Sequence, residues 1–253
     1  MPDIKIIFEP DATLGAYEGL LQNLNQMKIQ LITLLFFSWS MSSGQVNTET
    51  RKVNSFQSIK VGNAVDVRLS KGDREVVRVE AEGLPIDHVV TNSSGGTLNI
   101  ELDHFKFRTK VKVTVYVTYV VLHRIEAKMA ADVLAEQPIK TESLELEANT
   151  ASSMELAVDA DNVVVEAETA SNVILSGTTR QLKVITETSS NVDASQLKAR
   201  KVTADASTAS GIRLSVSEEL TAEANTAGTI RYRGNPSRSN TSSNTAGNIK
   251  RID

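Results

Sequence analysis

The chain has 253 residues, of which 40% are hydrophobic and 4% aromatic, and it carries a formal net charge of −4. The apolar fraction is sufficient for a folded core, which must consist mainly of Val, Leu, Ile and Ala. The absence of cysteine excludes disulfide frameworks, cysteine nucleophiles and thiolate zinc sites. The slight acidity argues against a nucleic-acid partner.

Residues 27–44 have the layout of a secretory signal peptide. Met27 and Lys28 precede a short apolar stretch, and Ser42-Ser43-Gly44 then supplies small residues. The stretch is too short to cross a bilayer as a stable helix, so we expect its removal and no integral membrane span in the mature protein. Residues 1–26 lack signal features, and we interpret them as a mis-assigned start. The alternatives are an uncleaved anchor or a buried element of a cytosolic protein.

Residues 45–125 read as a β-rich N-terminal segment, because apolar and charged residues alternate with period two, as in Val65–Leu69 and Val77–Ala81. Lys71-Gly72-Asp73 has the composition of a hairpin turn between these two strands, and Asn92–Gly96 of another turn. The three histidines, His88, His104 and His123, share no metal-ligand spacing and are interpreted as ordinary surface or partly buried residues.

Residues 126–253 contain a repeat of about 19 residues. Its signature is Thr, a small residue, Ser or Gly, any residue and then an aliphatic residue. Met129-Ala130-Ala131-Asp132-Val133 resembles a degenerate first copy. In the first five regular copies, apolar or small residues lie two, four and six positions before the threonine, and apolar residues lie four and six positions after it. The threonines of the six regular copies are Thr150, Thr169, Thr188, Thr208, Thr226 and Thr245.

This period predicts an all-β fold, a right-handed parallel β-helix-like solenoid of ~19-residue coils, with the N-terminal segment packed against it. Each coil is expected to contain short strands, a small-residue corner at the threonine, and a polar connection such as Asp159–Asn162 or Ser176–Arg180. The threonines would then form a structural corner ladder. The polar residues Ser239, Thr241 and Ser243 at inward positions suit a cap over the last coil.

Two columns of polar residues are candidate chemical sites. The position three before each threonine forms an acidic column, Glu147, Glu166, Asp205 and Glu223, broken at Ile185. Such a column could bind Ca²⁺ or a cationic glycan, but we favour the simpler interpretation that these are solvent-facing residues of strands that alternate with an apolar interior. The serine column, Ser152, Ser171, Ser190 and Ser210, has no histidine within its repeats to activate a nucleophile. We therefore expect no catalytic residue, no cofactor and no metal ion.

The export signal, the segment Phe56–Leu69 and the later Thr-Ala-Ser-Asn-Val repeats together resemble the putative auto-transporter adhesin, head GIN domain family of exported bacterial proteins, common in Bacteroidetes. The resemblance covers about residues 53–250. It implies a β-helix-like fold of stacked short strands, a periplasmic or cell-surface location and one continuous domain over residues 45–253. It transfers no catalytic residue.

The leading hypothesis is therefore an exported, non-catalytic binding or structural module of the cell envelope, whose partner is a glycan or an envelope protein. One alternative is a polysaccharide-active lyase or hydrolase built on a β-helix. A second is an envelope scaffold that self-associates through its open coil ends.

Overall fold

The computed structural model describes residues 46–103 and 111–253; the signal-like segment 27–44 and His104 lie outside these ranges. Within them, sixteen strands form one continuous hydrogen-bonded sheet, and a short 3₁₀ helix covers Ile86–His88. The strands are β1 (Val46–Arg51), β2 (Ser58–Val61), β3 (Asp66–Lys71), β4 (Val76–Glu82), β5 (Val89–Ser94), β6 (Thr97–Leu102), β7 (Lys112–Tyr119), β8 (Arg124–Ala127), β9 (Asp132–Ala148), β10 (Ser153–Ala167), β11 (Asn172–Thr186), β12 (Asn191–Ala206), β13 (Gly211–Ala224), β14 (Thr229–Arg233), β15 (Arg238–Ser243) and β16 (Asn248–Arg251).

The repeats stack as coils of a solenoid. Strands β9 to β13 pair in parallel with their neighbours, and each residue lies beside its equivalent one repeat later, as Met154, Val173 and Val192 do. Equivalent residues of successive coils thus form straight rows along the solenoid, which we call files. Inward files are apolar and pack together in the core. In every file, successive residues are about 4.8 Å apart. The predicted β-solenoid of ~19-residue coils is confirmed, with about 7 turns.

Every predicted corner is a tight turn with two consecutive left-handed residues. Thr169 and Ala170, for example, have φ of 51° and 60°. The amide of the fourth turn residue reaches back to the carbonyl of the first, as from Gly228 to Asn225 at 2.8 Å, which is type I′ geometry. Met129 and Ala130 adopt the same conformation, so the degenerate first copy is a true corner.

The prediction that polar connections separate the strands of each coil is wrong, because both segments lie within strands. Asp159–Asn162 lies inside β10, and Ser176–Arg180 lies inside β11. The chain bends there without leaving the sheet, because its backbone groups keep pairing with the coils on both sides. Small register shifts, such as that between Leu156 and Val158, accompany the bends.

The N-terminal segment contributes coils of its own. β2 pairs in parallel with β8, β3 pairs in parallel with β9, and Asn63 and Ala64 between them form a further corner with φ of 58° and 56°. β6 and β7 form the next layer, because they pair in parallel with β2 and β3. Strands β5 and β4 cover this layer in antiparallel orientation, and β1 adds to β4.

This arrangement corrects one prediction and confirms another. Lys71-Gly72-Asp73 does not join a hairpin, because β7 lies between β3 and β4 and pairs with both. The Asn92–Gly96 turn does join paired strands, β5 and β6, with positive φ at both Gly95 and Gly96. The buried aromatic residues Phe56 and Tyr119 belong to this segment, whereas Val, Leu, Ile, Met and Ala dominate the interior of the repeats.

Candidate functional site

Each coil presents two outward surfaces on either side of its corner. We call the surface of the strand segments that precede the corners face A, exemplified by Asn162, Val164 and Glu166. The surface of the segments that follow the corners is face B, exemplified by Asn172 and Ile174. On both faces every second residue points outward, so each coil adds one member to each file.

The acidic column lies on face A as two separate pairs. The register sets Glu147 opposite Glu166 and Asp205 opposite Glu223, while Ile185 separates the pairs. The file also continues towards the N-terminus to Glu126, which lies opposite Glu147 and which the repeat search did not include. Aligning β8 with the repeats would have found it, because Glu126 stands three residues before the corner residue Met129.

Basic side chains neutralise the N-terminal end of this column. Glu126 is only 3% exposed and receives Lys60 at 2.9 Å, together with Lys128. Burial opposes ionisation of Glu126, but the hydrogen bonds and charges of Lys128 and Lys60 outweigh it and hold the pKa of Glu126 below its ordinary value. Arg124 bonds Glu145 at 2.6 Å and also pairs with Glu147.

The Asp205 and Glu223 pair is not neutralised in this way. Burial, reinforced by the charges of Glu223 and Glu187, raises the pKa of Asp205 above its ordinary value. No cationic side chain of the described residues forms an ion pair with either carboxylate. Within residues 46–103 and 111–253, no three acidic or histidine side chains converge as metal ligands would.

The serine column points into the solenoid and not towards solvent. Ser152, Ser171, Ser190 and Ser210 are between 0% and 3% exposed. The Ser190 hydroxyl donates to the Ala167 carbonyl at 2.6 Å, and that of Ser210 donates to the Thr186 carbonyl at 2.9 Å. The hydroxyl groups of Ser152 and Ser171 are buried without a hydrogen-bond partner. None of the four is placed to meet a substrate.

The corner threonines form their ladder through the backbone. The amide of the residue after each threonine donates to the threonine carbonyl of the next coil, as from Ala151 to Thr169 at 2.9 Å and from Ala170 to Thr188 at 3.0 Å. The threonine side chains are exposed. Among the histidines, His123 hydrogen-bonds Thr141 Oγ1 through Nδ1 at 2.9 Å, and His88 ends the 3₁₀ helix.

A groove runs along face B from the coil of Asn172 to the coil of Thr229, where the sequence had indicated no site. Its cavity volume is about 460 Å³, and its floor includes Gly211 between Asn191 and Thr229. Arg213 lies at one wall, 3.4 Å from Asp193. Burial opposes ionisation of Asp193, but hydrogen bonds from Ser195 and the charge of Arg213 lower its pKa, so this carboxylate is ionised at neutral pH.

Comparison with known protein families identifies the chain. A family model described as "Putative auto-transporter adhesin, head GIN domain" matches residues 55–236. The chain belongs to this family. The resemblance drawn from the opening segment and the repeats is thus confirmed, and the match covers the N-terminal coils as well as most of the repeats of this head GIN domain protein. No protein of curated function matches the chain.

Solved structures share the head GIN domain fold. A putative adhesin from Bacteroides fragilis has 22% sequence identity and a TM-score of 0.76, over 83% of this chain and 98% of that chain. A putative adhesin from Parabacteroides merdae has 15% identity and a TM-score of 0.70, with the same coverage. A putative lipid binding protein from Parabacteroides distasonis has 17% identity and a TM-score of 0.62, also with 83% and 98% coverage. Among the described residues, no helix is long and apolar enough to span a membrane.

Proposed function

We propose that this head GIN domain protein is an exported, adhesin-like binding module of the cell envelope and has no catalytic activity. The observation that carries the proposal is the solenoid itself. Its parallel ladders hold outward polar side chains in straight files, in which successive residues are about 4.8 Å apart. A rigid, repetitive surface of this kind suits an extended partner such as a glycan chain or an envelope protein. The family description supports the same role.

Export rests on residues 27–44, whose pattern is typical of a cleaved signal peptide. The test is to fractionate the native host and sequence the N-terminus of the protein. A mature start near residue 45 in the periplasmic or surface fraction is expected. An intact segment 1–26 on protein from the cytosol would contradict export.

Binding is tested with the purified full chain on an array of glycans and on isolated envelope fractions. Saturable binding to a defined glycan or envelope component is expected. The control is heat-unfolded protein on the same array, because the files exist only in the folded solenoid. Equal retention of folded and unfolded protein would contradict a specific binding surface.

One observation favours the enzymatic alternative, namely the carboxylate pair Asp205 and Glu223. The two residues are neighbours on adjacent strands, and the raised pKa of Asp205 is a property of general acids in glycoside hydrolysis. We expect no turnover of polyuronate or neutral polysaccharides by the unaltered chain. Turnover that disappears in Asp205→Asn or Glu223→Gln would replace the binding function with an enzymatic one.

A further inference from the structure

The face B groove differs from the rest of its face in one residue. From β10 to β14, the outward file three residues after the corners carries Ser153, Asn172, Asn191, Gly211 and Thr229. Only Gly211 lacks a side chain, and a Cβ atom there would lie 2.7 Å from Asn191 Oδ1. The carboxamide of Asn191 therefore lies beside the groove floor with its polar atoms close to the opening.

The neighbouring file carries an uncompensated positive charge. Arg213, Arg231 and Lys250 lie directly beside one another in register on β13, β14 and β16. Asp193 pairs with Arg213, but no acidic side chain of the described residues pairs with Arg231 or Lys250. Like charges in adjacent positions of a sheet repel each other. Their arrangement is therefore complementary to a bound anion.

The distribution of charge along the chain reinforces this local feature. Residues 141–187 contain nine acidic and two basic side chains, whereas residues 226–253 contain five basic and one acidic. The solenoid is thus negative in its middle coils and positive in its last coils. A negatively charged ligand is attracted to the end of the groove that carries Arg231.

The N-terminal end of the groove suits a sugar ring, because the file of Arg213 and Arg231 begins there with the apolar Ile174. Ile174 is 42% exposed and lines the groove, and Asn172 and Asn191 stand beside each other at its floor. Amide groups donate to and accept from sugar hydroxyls, and an apolar side chain can cover the CH face of a ring. The volume of about 460 Å³ lies in the range of ligand sites.

We propose that the face B groove binds an acidic saccharide. The saccharide is an oligomer that lies along the groove. Arg231 holds the carboxylate of one sugar. Two to three coils nearer the N-terminus, Asn172 and Asn191 bond the hydroxyl groups of another sugar and Ile174 contacts its ring. The inference rests on the proposed binding function and specifies its ligand class. It involves no covalent step.

The test is calorimetric titration of the full chain with a tetragalacturonate and, as a neutral control, its fully methyl-esterified form. The two ligands share their hydroxyl groups and differ in charge. The acidic form is expected to bind at least about tenfold more tightly, since charge-assisted hydrogen bonds are the strong ones. Arg231→Gln is expected to lower the affinity for the acidic form about tenfold.

Two further variants distinguish an effect of the groove on affinity from an effect of net charge and from an effect of folding. Lys183→Gln removes one exposed positive charge from face A and is expected to leave the affinity unchanged. Gly211→Ser displaces the Asn191 carboxamide and is expected to weaken binding while the melting temperature does not fall, because the clash involves only the end of a flexible side chain. An equal loss in Lys183→Gln would overturn the groove assignment.

The last control measures the binding of a single-stranded oligonucleotide, which is a polyanion without acidic sugars. Binding of the oligonucleotide as tightly as the tetragalacturonate, with the same loss in Arg231→Gln, would show a general anion site and overturn the saccharide. Absence of any binding to the tetragalacturonate would overturn it as well. If this chain is exported and binds another glycan or an envelope component but not the tetragalacturonate, only this inference fails and the proposed function stands.

Discussion

At the scale of single residues, the serine column contains matched positions that differ in hydrogen bonding. Ser190 donates to Ala167 O and accepts from the Glu187 amide, whereas the buried Ser171 hydroxyl has no partner. Ser171→Ala should raise the free energy of unfolding by about 1 kcal/mol, because an unsatisfied buried hydroxyl is costly. Ser190→Ala should lower it by about 1 kcal/mol. Urea denaturation of both variants measures the two effects.

Ala131 occupies the equivalent position in an earlier coil and is fully buried, so the methyl group fits this column. Substitution effects of the same sign and size at Ser171 and Ser190 would contradict the difference in their hydrogen bonding.

Two carboxylates of the face A file should respond to pH in opposite ways. The folded-state pKa of Glu126 is lowered, so its stabilisation is present above its ordinary value of 4.5 and is lost as pH falls through the folded-state pKa. Glu126→Gln should therefore lower the free energy of unfolding at pH 7 by about 2 kcal/mol, with a smaller difference in acid. Melting curves between pH 3 and about pH 7 measure this change.

The pKa of Asp205 is shifted in the opposite direction to that of Glu126. Its folded-state pKa is raised, so the native protein favours the protonated form, and ionisation destabilises the native protein as pH rises through that pKa. Asp205→Asn should raise the free energy of unfolding at pH 7 by about 0.5 kcal/mol, a small gain because the group is partly solvated. The gain should vanish below the ordinary value of 3.8. A pH-independent gain would contradict the charge origin of the effect.

At the scale of elements, the corners show why the repeat was readable from sequence. A type I′ turn needs two residues with positive φ, and each of the six regular copies has a threonine followed by Ala or Ser at these two positions. The β-branched threonine is costly there, so composition alone would not have identified a left-handed corner. The corner of Asn63 and Ala64 escaped the search because residues 72–123 interrupt the period.

The bend within the long strands, at Ser176–Arg180 in β11, depends on backbone contacts that the sequence pattern does not predict. In β11 it includes Gly177, whose φ is 110° and whose Cβ position lies 2.0 Å from the Val158 carbonyl oxygen. Gly177→Ala should lower the free energy of unfolding by about 3 kcal/mol, since it adds both backbone strain and overlap with a neighbouring coil. Chemical denaturation measures the loss.

Gly62→Ala is the matched control, because a Cβ atom there meets only Met129 Cε at 3.5 Å, an ordinary contact. Its effect should stay within about 0.5 kcal/mol. A comparable loss in both variants would show that replacing any coil glycine is costly, independent of its φ.

At the scale of the whole molecule, local pattern predicted the stack but not its order. Alternation identified β3, β4 and β7 as strands, yet β7 enters between the other two because its β-branched face completes a layer of the core. The face B groove was likewise missed. Its signal was present, since Arg213, Arg231 and Lys250 occupy one repeat position, but only the register of β13, β14 and β16 shows them as a single file.

The two ends of the solenoid differ, and this difference predicts how the molecule opens. At the N-terminal end, the edge strand β1 is largely exposed, but antiparallel β4 next to it is paired on both sides, by β7 and by β1, and its inward residues are buried. At the C-terminal end, all six residues of β15 are exposed, and β15 pairs with β13 alone. Because coils are stabilised mainly by their neighbours, opening should begin at β15 and β16. In hydrogen exchange measured by mass spectrometry, their amides should exchange first, those of β10 to β12 last, and those of β4 should remain protected. Exchange that begins in β4, or at equal rates in β11 and β15, would contradict opening from the C-terminal coil.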